Sequence, residues 1–105
     1  MNEKEFWLAM NQAIRRSDEA HIREAFRLHP EMLNYERSGT WLHTAVEEDR
    51  QDVIRLLVEL GCSVDQKDTG FGQTPLGLAV ERDNPETVRA LLEAAADPNF
   101  PDMYY

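Results

Sequence analysis

Three histidines, one cysteine and a handful of neighbouring acids are the side chains of this sequence whose types could do chemistry. His21, His29 and His43 could move protons or bind metal if partners stood at the right spacing. A zinc site would need an H-E-x-x-H helix, paired C-x-x-C or a similar ligand spacing, and none occurs. His21 lies on the polar side of its helical stretch, and His29 sits at a helix end beside Pro30. No G-x-S-x-G and no phosphate-cradling glycine loop is present. Gly70-Phe71-Gly72 has neither the third glycine nor the preceding strand of a dinucleotide fingerprint. Glu47-Glu48 and Glu81 could suggest paired carboxylates for acid–base work, but on the exposed side of a helix they read as a solvated acidic face. These residues assemble into no reaction, so the chain is read as a non-enzyme with no metal and no cofactor.

Charge narrows the choice of partner. Eleven basic and twenty acidic side chains give a net charge of −9, which repels nucleic acid. Arg15-Arg16, with Arg23 and Arg27, is the single basic cluster, and it is small. An acidic surface suits a basic protein partner, or simply solubility. No apolar run approaches the ~20 residues that span a bilayer, and Met1-Asn2-Glu3-Lys4-Glu5 lacks the basic start of a secretory signal. Cys62 is the lone cysteine, and it cannot form an internal disulfide. That fits a reducing compartment, so a cytoplasmic protein is the expectation.

The elements that must position these residues repeat. Thr40-Trp41-Leu42-His43-Thr44-Ala45-Val46-Glu47 returns as Thr74-Pro75-Leu76-Gly77-Leu78-Ala79-Val80-Glu81, 34 residues later. From Thr40 to Asp65 the shifted copy matches at nine of 26 positions. A period in this range means stacked supersecondary units. Leu42, Ala45 and Val46 fall at helical spacing, and Val53, Ile54, Leu56, Leu57 and Leu60 make a wider stripe on a second helix ended by Gly61. The second copy gives Leu76, Ala79 and Val80, then Val88, Leu91 and Leu92, with Pro85 near a helix start. Thr40 and Thr74 stand at N-cap positions. Upstream, Phe6, Met10, Ala13 and Ile14, then Ile22, Ala25, Phe26 and Leu28, form a weaker first unit. Cys62 to Gln73 is rich in turn formers, which predicts a protruding turn or short hairpin with Phe71 at its tip as a contact residue.

With the motif laid out, the chain resembles the ankyrin repeat family, whose signature is T-P-L-H-x-A. Thr40 to Ala45 matches it except for Trp41 at the proline position, and Thr74 to Ala79 matches except for Gly77 at the histidine position. Asp52-Val53-Ile54-Arg55-Leu56-Leu57 is similar to the family's second helix, and Gly61 to Asp65 and Ala95 to Asn99 echo its closing element. The resemblance implies an all-α solenoid of stacked helix-turn-helix pairs joined by protruding turns or short hairpins. Its units would be a degenerate 2–34, then 35–67 and 68–101, with 102–105 as a tail. It implies a bracing Thr40–His43 pair that Thr74 and Gly77 cannot reproduce, leaving the last unit less rigid. It places Cys62 at a small buried position, hence an inert thiol. Ser17, Asp49 and Asp83 replace the glycine usual between the two helices, at some conformational cost.

The resemblance also implies where a partner protein would bind: loop tips and the outward side of each first helix. Those positions are Arg15, Arg16, Glu36, Arg37, Trp41, Glu47, Glu48, Lys67, Phe71, Gln73, Glu81 and Arg82, a surface acidic at its middle and basic at its N-terminal end. Phe71, Trp41 and Arg37 are the residue types that dominate interface energetics. The expected role is a protein-binding module, an inhibitor or immunity-type partner of a more basic protein. The alternative is an assembly module. After Asn99 no third full motif follows, which would leave Leu76, Leu91 and Leu92 with unpaired apolar area. A folded-back aromatic tail, a homodimer joined end to end, and a fragment of a longer scaffold all answer that.

Overall fold

The computed structural model describes residues 2–94. Among the described residues six α-helices form in chain order: α1 Glu3–Arg15, α2 Glu19–Leu28, α3 Trp41–Glu47, α4 Gln51–Leu60, α5 Pro75–Glu81 and α6 Pro85–Glu93, with a 3₁₀ turn at Pro30–Met32. Among the described residues there is no strand. The expected end of the last unit at 101 and the tail 102–105 lie outside the described residues.

Apart from α4, which starts after Arg50 with no side-chain cap, the helices begin where a side chain can satisfy free N–H groups. Asn2 and Glu5 form a reciprocal box at α1, with the Asn2 side chain accepting from the Glu5 amide at 2.8 Å. Asp18 caps α2, Thr74 caps α5, and Asn84 caps α6 ahead of Pro85. Within each pair the turn is the same. Ser17, Asp49 and Asp83 adopt left-handed φ of 53°, 59° and 55°. The next amide then closes onto the carbonyl of Ala13, Ala45 and Ala79, at 2.9, 3.0 and 3.3 Å. Gly61 ends α4 at φ 108°, a conformation costly for any residue with a Cβ.

The pairs stack so that α1, α3 and α5 adjoin one another, as do α2, α4 and α6. Ile14, Ile22, Leu42, Ile54, Leu57 and Leu91 are fully buried between them, each contributing about 1.5–3 kcal/mol of apolar burial. The stripes read from the sequence supply this core, with corrections at the two ends. Leu28 is exposed, because α2 belongs to the outermost unit. Leu76 and Leu91, expected to be left unpaired, are buried against the preceding unit. Val80 and Leu92 instead carry the exposed apolar area, at 40% and 42%.

Trp41 corrects a second expectation. It is no edge contact residue: only 2% of it is exposed. Its ring packs with Phe6, Phe26 and Tyr35 at 5.9, 6.2 and 6.1 Å, and its indole N–H donates to the Met32 carbonyl at 2.9 Å. Aromatics of the degenerate first unit, Phe6 of α1 and Phe26 of α2, thus enclose this side chain.

Candidate protein-binding groove

Two loops run beside the row of first helices and are bonded to each other. The Ser63 amide donates to the Asn34 side chain at 3.2 Å, Gln66 donates to Glu36 at 2.8 Å, and the Thr69 amide reaches the Ser38 carbonyl at 3.3 Å. The tip of the second loop is held by Asp68, whose Oδ1 accepts from the amides of Phe71 and Gln73 at 3.0 and 3.2 Å. The Asp68 amide donates to the Gln73 carbonyl at 2.8 Å. The protruding tip is thus a hydrogen-bonded turn, and it carries Phe71 outward, 70% exposed.

His43 joins this loop to the helices. Its Nδ1 accepts the Thr40 backbone N–H at 3.0 Å, so the ring proton sits on Nε2, which donates to the Gln73 carbonyl at 2.8 Å. The Thr40 hydroxyl lies 3.0 Å from the same Nδ1. In the next unit Thr74 still accepts from the Gly77 amide at 3.1 Å. No imidazole is present there to reach onward.

Between loops and helices lies a concavity of about 500 Å³. Trp7 and Asn11 of α1, Thr44 and Glu47 of α3 and Leu78 of α5 face it from the helix side. Arg37, Asp68 and Phe71 face it from the loops. The Arg37 guanidinium lies over the Trp7 ring, 4.7 Å from its centre. Asn11 donates to the Trp7 carbonyl at 2.7 Å, which fixes its amide beside that ring.

Of the residues read from the sequence as contacts, Arg37, Glu47 and Phe71 are brought together here. Gln73 also borders the groove, but its side chain is buried and donates to Glu81 at 2.7 Å, so it braces the wall instead of offering a contact. Glu36 is held by Gln66. Arg15 pairs with Glu48 at 3.4 Å, and Arg82 donates to the Glu47 carbonyl at 3.3 Å. Lys67 is exposed on the second loop. Arg16 borders a separate crevice with Gln12, Asp18 and His21. Trp7, Asn11, Thr44 and Leu78 were missed. A signal existed: Thr44 and Leu78 are equivalent positions 34 residues apart, just off the buried stripe, and both are half-buried at the edge of the core.

Asp49 and Cys62 are among the titrating groups displaced by their surroundings. Asp49 is held below the ordinary aspartate value by hydrogen bonds from Asn84 first, then Thr87 and Gln51. Burial pushes the Cys62 thiol up to about 12, as suits an inert core thiol. Among the described residues no group of three or more His, Cys, Asp or Glu could hold a metal ion, and no helix is long and apolar enough to cross a membrane.

Stacked helix pairs with loops rising beside the first helices define an α-helical repeat protein. The sequence model of ankyrin repeats in three copies matches residues 3–102, and the chain belongs to that family. It is 41% identical over 70 residues to "Regulatory protein NPR5" of Arabidopsis thaliana, a match covering 66% of this chain and 14% of that protein. It is 39% identical over 69 residues to the "B-cell lymphoma 3 protein homolog" of Mus musculus, covering 66% of this chain and 15% of the mouse protein. The crystal structure of the ankyrin repeat domain of Bcl-3, titled a unique member of the IkappaB protein family, superposes with a TM-score of 0.72 at 31% identity. That superposition covers 89% of this chain and 42% of the other. The chain therefore spans well under half the length of the relatives it matches.

Proposed function

We propose that this chain is a non-catalytic module that binds a partner protein through the groove between Trp7, Glu47 and Phe71. The observation that carries the reading is Phe71, a large aromatic held outward on a hydrogen-bonded turn at the mouth of that groove. Rigid, exposed aromatics are what interfaces use as anchors, because little conformational freedom is lost on binding. Its relatives are regulatory and ankyrin repeat proteins, which supports a binding role. The net charge of −9 favours a partner with a basic patch, as an inhibitor or immunity-type protein would meet, in a reducing, cytoplasmic compartment. A pull-down from the native host should recover a partner with the wild type and lose it with Phe71→Ala or with Glu47→Lys/Glu48→Lys. Equal recovery by all three proteins would reject the groove as the binding surface.

A second reading, assembly through the C-terminal end, draws on Val80 and Leu92. Their counterparts one unit earlier, Val46 and Val58, are buried and half-buried under the next unit. A further helix pair of the same design would cover them. Light scattering that shows a concentration-dependent dimer, lost in Val80→Glu/Leu92→Lys, would favour this reading; a monomer at all concentrations would remove it.

A further inference from the structure

The groove reading leaves open what kind of segment enters, and its charges and apolar walls differ enough to choose one. We propose that the occupant is a linear segment of the partner in which one lysine or arginine adjoins an aromatic or branched aliphatic residue. The cation pairs with Glu47, and the apolar side chain packs between Phe71 and Leu78. The inference rests on the groove being the binding surface and adds the chemistry of what it holds.

The case for Glu47 comes from what its acidic neighbours are already doing. Glu48 is paired with Arg15 at 3.4 Å. Asp68 accepts the two amides that hold the loop tip, and Glu81 accepts from the buried Gln73 amide at 2.7 Å. Arg82, one unit on, binds the Glu47 backbone carbonyl at 3.3 Å and makes no ion pair with its carboxylate. Among the described residues Glu47 has no ion pair, and it lines the groove. A cation is therefore matched by one carboxylate that no intramolecular partner has taken.

The opposite end argues against a run of cations. The exposed face of Trp7 would attract a partner's ammonium or guanidinium, but Arg37 already lies over it. A second basic residue would meet the Arg37 charge there. A single basic residue is thus favoured at the Glu47 side over a polybasic stretch, which separates this site from diffuse attraction to an acidic protein. The apolar half follows from Phe71 and Leu78, which face the same space from loop and helix. At about 500 Å³ the space suits a few side chains of an extended segment.

The test is to pan a displayed library of random linear peptides on the wild-type protein and to measure the enriched peptides against four variants. Enriched sequences should carry one Lys or Arg beside an aromatic or branched aliphatic residue. Glu47→Lys should weaken them by more than about tenfold, since reversal places like charges in contact. Glu47→Gln should weaken them less. Glu48→Lys, which alters net charge as much as Glu47→Lys, should change affinity by less than about twofold because that carboxylate is already paired. Binding should also shift the emission of Trp7, since Trp41 is buried.

Enriched peptides without a basic residue, or equal losses with Glu47→Lys and Glu48→Lys, would overturn the proposal. If such peptides are still lost with Phe71→Ala, the groove stands and only its partner chemistry fails. If nothing is enriched, or enrichment ignores Phe71→Ala, both readings fall.

Discussion

Ser17, Asp49 and Asp83 occupy one backbone position in successive units, and each is held at a left-handed φ that disfavours a side chain. Only some of them gain something in exchange. Asp49 accepts hydrogen bonds from Gln51 at 2.7 Å, from Thr87 at 3.1 Å and from Asn84, two of these in the following unit. Ser17 donates to Asp52 at 3.2 Å. Asp83 has no such bond among the described residues. Asp83→Gly should therefore raise stability by up to about 1 kcal/mol, from relief of the left-handed strain. Asp49→Gly relieves the same strain and removes the joint between units, so it should be neutral or destabilising. Urea midpoints of the two variants decide the matter, and equal gains would refute the contrast. Acid provides a second reading of Asp49. Its pKa is depressed in the folded state, so its contribution is present above the unfolded value and is lost as pH falls through the folded one. The wild type should lose stability below the ordinary value of 3.8 more steeply than Asp49→Asn, as followed by thermal midpoints across that window.

Helix by helix, much of the fold was legible from period and punctuation: threonine caps, the stripe of α3 repeated in α5, and Gly61 closing α4. These signals are local, and local chemistry sets them. The groove was less legible, because a residue's role there depends on what lies across from it. Trp41 shows why. Its place at the motif proline put it at an edge by alignment, but the aromatics Phe6, Phe26 and Tyr35 from distant parts of the sequence enclose it. Trp41→Pro tests whether side chain or backbone matters at that position. Thr40 is extended, with φ −93° and ψ 176°, as a residue before proline must be, so the helix start accepts the change. The loss should be that of a buried aromatic, about 3–5 kcal/mol, measured by chemical denaturation. A loss below about 1 kcal/mol would mean that the aromatic cluster repacks. His43 acts between elements. His43→Ala would leave the buried Thr40 N–H unpaired and the Gln73 carbonyl with the Asp68 amide as its remaining donor, costing about 1–3 kcal/mol. It should also speed hydrogen exchange at Thr40, and an unchanged rate there would show that another group takes over.

Across the whole stack, the units are not equally secured. The ion pairs Arg23–Glu59 and Arg55–Glu93, at 3.4 and 3.3 Å, recur in register between successive second helices. Both are solvent-exposed, and exposed pairs of this kind are worth about 0–1 kcal/mol, so they set alignment more than stability. Core burial and the His43 link separate the units more strongly. The middle pair, α3 and α4, is covered on both sides. The last pair has one neighbour among the described residues, exposes Val80 and Leu92, and carries Gly77 in the first turn of α5, where no side chain reaches onward as His43 does in α3. In a stack whose stability is a sum over units and interfaces, α5 and α6 should open first. The placement of the tryptophans makes this visible, because Trp7 and Trp41 both lie in the N-terminal half. In a urea titration the far-ultraviolet helix signal should begin to fall before tryptophan emission responds, since fluorescence senses only the units that open later. Amides of α6 should likewise exchange faster than those of α4. Superimposable transitions by the two probes would show that the units open together. The missing imidazole at Gly77 would then have no mechanical consequence.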